Sequence, residues 1–265
     1  MEELRKTLGS RLLTINEYFV EAFKVFKRVW KKEKILSISV FVLPFTIEII
    51  RFLPVIIMSL YSKGAFGGNQ DKFIRIISNL NFNGFIVTEI MSGILALLMY
   101  FFSGKIVCLI EENKDKHKIL KKAVILTLLY EIIKWMCVQG IYVLSYNTDR
   151  KFLPVIIQII SAVFYILFLN YFYFKFIYMA RNTNIVNALE ESFSLSKGNR
   201  MRMFLPNFII IIVLNMLSIL FRRIYMGIFF FFIVQAVIMI FQIIMQAIIY
   251  LNAEYIIRNK NIEGV

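Results

Sequence analysis

The chain has 265 residues, 59% of them hydrophobic, with a mean hydropathy of +0.71 and a formal net charge of +14. Soluble domains carry about 45–50% apolar residues; here the excess is gathered into runs of about 20 residues or more, the length that crosses a bilayer. An ordinary soluble globular protein is excluded, and because the basic residues collect between the runs they point to topology and anionic headgroups rather than to nucleic acid.

The first 34 residues read as a charged amphipathic segment. Over residues 12–32, Leu12, Ile15, Phe19, Ala22, Phe23, Phe26, Val29 and Trp30 fall within an arc of about 120° at helical spacing. Lys24, Lys27, Arg28 and Lys31 occupy the other side. An aromatic face with a basic back is the pattern of a helix lying in the membrane interface; a helix packed beneath a transmembrane bundle fits equally well. No small-residue cleavage site precedes the first long apolar run at Ile35, so no cleavable signal peptide is expected.

Six hydrophobic spans follow, near residues 35–61, 84–110, 123–144, 153–179, 204–221 and 225–256. The expected fold is all-α: one integral membrane domain over residues 1–265, a bundle of six transmembrane helices with interfacial amphipathic helices on its cytoplasmic side. Pro44 and Pro54 lie in the first span, where a kink or break is expected. The sixth is long enough to project beyond the bilayer. Nine Lys and Arg precede the first span, five lie in the second loop, four in the fourth and two at the C-terminus, against seven in the three alternate loops. That asymmetry puts both termini in the cytoplasm, and an even number of spans agrees. The abundance of Ile, Lys, Asn, Phe and Tyr suggests an AT-rich, bacterial genome, and hence an inner membrane.

A short basic amphipathic stretch precedes spans one, three and five, which suggests a repeated plan of helix, span and span. In the third such stretch Asn184 is placed to cap a helix, Ile185, Leu189 and Phe193 share a face, and Gly198 supplies a stop. The near-verbatim match of residues 51–57 with residues 151–157 falls at different places in the two spans and reads as chance.

Two acid–base pairs interrupt these spans: Glu48 with Arg51, and Glu131 with Lys134. Each is spaced i, i+3 and so shares a helix face, and each charge near the bilayer centre costs roughly 2.5–3.5 kcal/mol on insertion scales. Counted inward from the cytoplasmic side, the two pairs sit at overlapping depths, so spans one and three can cross-pair in a neutral four-charge cluster. It reads either as a clamp that fixes helix register or as a site for a zwitterionic headgroup or a proton relay. Glu89 lies near the outer end of span two, within reach of the interface. Thr88, Ser92, Ala96 and Ser103 line one side of that span and allow close helix approach. Gln235, Gln242 and Gln246 form a stripe on span six, with Asn207 and Asn215 of span five as candidate partners; interhelical bonding is the first reading of that network and a substrate path the second.

Cys108 and Cys137 lie in apolar runs and read as small core residues. His117 is alone in a lysine-rich loop, so no serine has a base to activate it. No catalytic residue, metal ligand or cofactor motif is expected.

The segment Ala188, Leu189, Ser192, Phe193, Leu195, Ser196, Lys197, Gly198 and Phe204 resembles a pattern that precedes the last two spans in a group of bacterial six-helix membrane proteins. That group includes the membrane domain of glycerophosphoryl diester phosphodiesterases and related uncharacterised families. Phe193 stands where Trp is commoner. The resemblance implies the six-span layout; the soluble phosphodiesterase barrel has no room in the chain, so its activity is not implied. Lys197 and Arg200 close the motif and are placed, with Lys24, Lys27, Arg28 and Lys31, to anchor at phosphate headgroups.

The sequence thus reads as a non-enzymatic integral membrane protein for membrane maintenance, assembly or transport assistance, with anionic lipid as its partner and with further membrane proteins or a second copy as open possibilities. The alternative is a small transporter or channel for an ion, a zwitterion or a lipid headgroup, passing Glu48, Arg51, Glu131, Lys134 and Gln242.

Overall fold

The computed structural model describes residues 1–62, 70–112, 117–147, 173–181, 183–222 and 227–263. Among them every regular element is an α-helix: α1 Glu2–Ser10, α2 Ile15–Lys32, α3 Lys34–Ser62, α4 Gln70–Glu111, α5 His117–Asn147, α6 Phe174–Ala180, α7 Ile185–Ser196, α8 Arg200–Arg222 and α9 Gly227–Glu263. The all-α class holds. Three helices among the described residues are long and apolar enough to cross a membrane, over Ile74–Glu111, Arg200–Phe221 and Phe230–Asn259; six were expected. Spans one and three are the continuous helices α3 and α5, which carry the acid–base pairs, and most of span four lies outside the described residues.

The N-terminal segment is two helices: α2 is the amphipathic helix expected over 12–32, and a separate α1 precedes it. Arg11 is extended at the end of α1, and α2 starts from Thr14, whose backbone N–H and hydroxyl both donate to Glu17 at 2.8 and 2.9 Å. Thr14-Ile-Asn-Glu17 is a capping-box sequence. Arg11 adds two bonds to the same carboxylate, at 3.0 and 2.5 Å.

Helix α3 runs unbroken through Pro44 and Pro54. Each interior proline removes a backbone bond at a cost of about 3 kcal/mol, and packing of α3 along both α4 and α9 outweighs it. Helix α4 is far longer than span two, beginning at Gln70. It ends where Glu112 takes φ +57°, and Arg5 of α1 closes that end by donating to the Glu111 carbonyl at 3.2 Å and the Glu112 carboxylate at 2.8 Å.

The hub is the C-terminal half of α9. Residues 243–253 are buried on all sides, and α1, α2, α3, α4 and α8 pack around the helix. Phe19 and Phe26 of α2 meet Phe241 at 6.1 and 6.5 Å between ring centroids. Phe176 and Tyr173 meet Tyr250 at 5.6 and 6.0 Å, which seats α6 against the same hub.

The packing faces of the amphipathic helices coincide only in part with those expected: on α2 Ala22 and Val29 are buried and Phe19 and Phe26 pack on Phe241, as read, but the face is shifted. On α2 the buried stripe is Tyr18, Ala22, Val25 and Val29, while Val20 and Phe23 are exposed. On α7 it is Ala188, Ser192, Leu195 and Ser196, while Val186 and Phe193 are exposed. Ala22, Ala188, Ser192 and Ser196 let the helices approach the bundle closely beside the buried Tyr18 and Leu195, while Phe23 and Phe193 face outward, where lipid can receive them. Asn184 holds the N-cap position of α7 but its side chain makes no capping bond. Gly198 stops the segment at φ +87°, a left-handed conformation that glycine adopts without strain.

Candidate functional site

The polar side chains of the helices fall into three layers. The outermost joins α3, α4 and α5. Lys134 donates to Glu131 on its own helix at 2.8 Å and to Glu89 of α4 at 2.7 Å. Arg51 meets Glu48 at 3.2 Å on α3. The four-charge cluster that the overlapping depths allow does not form: among the described residues no ion pair joins α3 to α5, and Glu89, read as reaching the interface, is the partner that Lys134 finds on the neighbouring helix. The reason is topological. Helix α4 lies between α3 and α5, so its carboxylate intervenes. A cleft of about 280 Å³ between α3 and α4, lined by Ile50, Arg51, Pro54, Gly84, Phe85, Thr88 and Glu89, brings Arg51 and Glu89 to opposite walls. Three carboxylates and two cations leave this layer with a formal charge of −1. Glu131 Oε1 has no exposed surface and accepts no hydrogen bond among the described residues.

The middle layer ties α8 to α9 and α6. Asn207 accepts hydrogen bonds from Gln242 at 2.9 Å and Gln246 at 2.8 Å, and its amide donates to the Met203 carbonyl. Gln246 in turn accepts from Lys175 at 2.6 Å, whose ammonium also lies 4.8 Å from the centre of the Phe176 ring. The glutamine stripe therefore works as an interhelical network through Gln242 and Gln246, with Gln235 partly buried above them. Asn215, expected to join, is exposed on α8.

The third layer contains two closed clusters. Arg181 lies between two carboxylates and bonds each bidentately: Glu111 at 2.9 and 2.6 Å, Glu254 at 2.9 and 2.6 Å. Burial alone would lower the Arg181 pKa, but the bonds to Glu111 and Glu254 outweigh it and raise it further. Lys122 donates to the Tyr178 and Arg181 carbonyls, capping the open end of α6. Burial, and then the nearby Lys118, lower the Lys122 pKa.

The second cluster centres on Asn252, fully buried in α9. Its oxygen accepts from the Leu13 N–H at 3.0 Å and the Tyr18 hydroxyl at 2.8 Å, and its amide donates to the Leu8 and Arg11 carbonyls at 2.7 and 2.9 Å. All four hydrogen-bonding positions of the side chain are thereby filled, and Arg202 adds a bond to the Leu13 carbonyl. The turn between α1 and α2 owes its backbone satisfaction to a residue more than 230 positions away.

Sequence reasoning passes over Glu111, Lys175, Arg181, Arg202, Asn252 and Glu254. Lys175, Asn252 and Glu254 are polar residues inside drawn spans and stand out by the rule that selects Glu131. Arg181 and Arg202 enter only as topological charges. The serines behave as packing residues: the Ser103 hydroxyl donates to the Met99 carbonyl and that of Thr88 to Phe85. Beside them, a Cβ on Gly104 would lie 2.8 Å from Ile119 and 3.1 Å from Met179. The headgroup-anchoring candidates Lys24, Lys27, Arg28, Lys31, Lys197 and Arg200 are all exposed, with Lys27 stacked over the exposed Phe23 ring at 4.6 Å. Cys108 is buried; the side chains of Cys137 and His117 lie outside the described residues. No family model, no curated protein and no solved structure matches the chain.

Proposed function

We propose that the chain is a six-span, non-enzymatic protein of a bacterial inner membrane, with both termini in the cytoplasm, acting as a lipid-engaging scaffold in membrane maintenance or assembly. The observation that carries this reading is that the ionisable groups on the long helices bond to one another within separate layers. Lys134 is held between Glu131 and Glu89, and Arg181 between Glu111 and Glu254. A transport path would need such groups in line and open to water from one side. The exposed basic residues of α2, with Lys27 over the exposed Phe23 ring, and Lys197 and Arg200 just after α7 suit attachment to the anionic cytoplasmic leaflet. We place the chain, on the Ala188–Phe204 segment, beside the six-helix group that it resembles.

A small transporter for an ion, zwitterion or headgroup is the second reading, favoured by the formal charge of −1 in the outer layer and the unbonded Glu131 Oε1. Liposomes holding wild type, Glu48→Gln or Glu131→Gln separate the two. Unchanged ion and lipid flux with a lowered melting temperature supports the scaffold; wild-type flux that either variant abolishes refutes it.

A further inference from the structure

The outer cleft sits at a defined depth. Arg51 is 17 residues, about 26 Å, along α3 from its start, and Lys134 is equally far along α5. Glu89 lies 22 residues, about 33 Å, from the Glu111 end of α4. Those ends lie beside the basic segments expected in the cytoplasm, so on that orientation the cleft sits in the far half of a hydrocarbon layer about 30 Å thick. The nearer headgroups are those of the opposite leaflet.

The two charged walls have bonding capacity to offer. Arg51 donates one bond to Glu48 out of five possible N–H donors, and its side chain is 52% exposed. Glu89 bonds Lys134 through Oε2 and is 41% exposed. Between them Ile50, Pro54 and Phe85 are apolar, Gly84 leaves the wall low, and the Thr88 hydroxyl is already bonded to its own helix. A volume of about 280 Å³ falls at the small end of ligand sites, which suits a headgroup whose acyl chains stay in the membrane.

We propose that this cleft holds the headgroup of a phospholipid carrying a phosphate and a primary ammonium, with the phosphate on Arg51 and the ammonium on Glu89. The proposal rests on the lipid-engaging reading above and names the lipid. Arg51 offers two parallel N–H donors to phosphate oxygens, and Glu89 accepts the ammonium N–H. A zwitterion adds no net charge to a layer that is already at −1. An anionic glycerol headgroup would set the same phosphate without giving Glu89 a cation, and a quaternary choline has no N–H to donate.

The test uses the full chain in detergent, with melting temperature followed as short-chain phosphatidylethanolamine, phosphatidylcholine, phosphatidylglycerol or soluble glycerophosphoethanolamine is added. Phosphatidylethanolamine is expected to raise it at concentrations about tenfold lower than the other lipids, a preference worth about 1.4 kcal/mol. Arg51→Gln and Glu89→Gln are each expected to erase that preference. Gly84→Leu fills the cleft without touching a charge and is expected to do the same. Glu131→Gln breaks the other side of the Lys134 pair and is expected to keep it. Equal responses to the three lipids, an equal response to the soluble phosphoester, or a preference that survives both Arg51→Gln and Gly84→Leu overturns the proposal. Loss of the preference with unchanged flux in liposomes leaves the scaffold reading standing, so the two failures are distinguishable.

Discussion

Replacing Arg181 with Gln tests the third layer directly. The guanidinium is 19% exposed and its partners Glu111 and Glu254 are 11% and 15% exposed, too buried for water to replace the lost bonds. Removing one partner from a buried ion pair costs about 3–5 kcal/mol, chiefly because a charge is left behind uncompensated. Here two carboxylates are left behind, but they share one cation, so the costs do not simply add, and about 4 kcal/mol is expected. At about 2–4 °C per kcal/mol for a chain of this size, melting should fall by about 8–16 °C. The assay is thermal unmasking of the Cys108 thiol, which is buried three residues before Glu111, by a thiol-reactive dye in a Cys137→Ser background. Arg181→Lys keeps the charge but loses the planar fork, and should give back only part of the loss. The triple variant Arg181→Met, Glu111→Leu, Glu254→Leu removes every charge of the cluster and should melt well above Arg181→Gln. A shift below about 2 °C for Arg181→Gln, or a triple variant less stable than the single one, refutes the argument.

Three further outcomes follow from the same bonds. Asn252→Ala should cost about 3 kcal/mol, because it strips partners from buried backbone groups of the α1–α2 turn; hydrogen exchange at residues 8–18 should rise, and Asn252→Asp should not rescue it, since a carboxylate cannot donate to the Leu8 and Arg11 carbonyls. Gly104→Ala should cost about 1–3 kcal/mol by crowding Ile119 and Met179, whereas Gly93→Ala, whose Cβ would meet Glu131 Oε1 at an ordinary 3.8 Å, should melt like wild type. Bonds from Arg11 and then from Thr14 hold the Glu17 carboxyl down to about 2 from its usual 4.5. Its contribution is therefore complete above pH 4.5 and lost as pH falls toward 2; exchange of the Thr14 amide should show that step, and Glu17→Gln should abolish it.

How much of this was legible in the sequence depends on what each residue must face. Long apolar runs declared the helices, and α3, α5, α8 and α9 lie within a few residues of spans one, three, five and six. The interfacial helices were legible as helices but not in their orientation. Reading Phe19, Phe23 and Phe26 together as the packing face of α2 assumes that every large apolar side chain seeks protein; Phe19 and Phe26 do meet Phe241, while Phe23 faces outward. In a membrane, lipid receives such a side chain equally well, and Val25 enters the contact beside Ala22 because small residues permit close approach. The Thr14–Glu17 capping box was present in the sequence as a local signal for the break between α1 and α2. The clamp of Arg181 by Glu111 and Glu254 was not, because pairings across 70 or more residues depend on which helices become neighbours. The same limit explains Lys134: the sequence offers Glu131 one turn away, and only the order of α3, α4 and α5 brings in Glu89.

The layers also explain how one long helix finds its register. Apolar side chains sliding along apolar side chains in lipid discriminate weakly between positions one turn apart. Helix α4 meets its neighbours through three contacts that do discriminate: Glu89 with Lys134, Gly104 against Ile119 and Met179, and Glu111 with Arg181 at its C-terminal end. A slip of one turn, about 5.4 Å, breaks both ion pairs and drives a side chain into the glycine notch. Any one contact could be satisfied in another register by a neighbouring residue, whereas all three together admit a single alignment. The charges that make α4 costly to insert are thus the groups that fix where it stops, and that fixed position sets Glu89 across the cleft from Arg51.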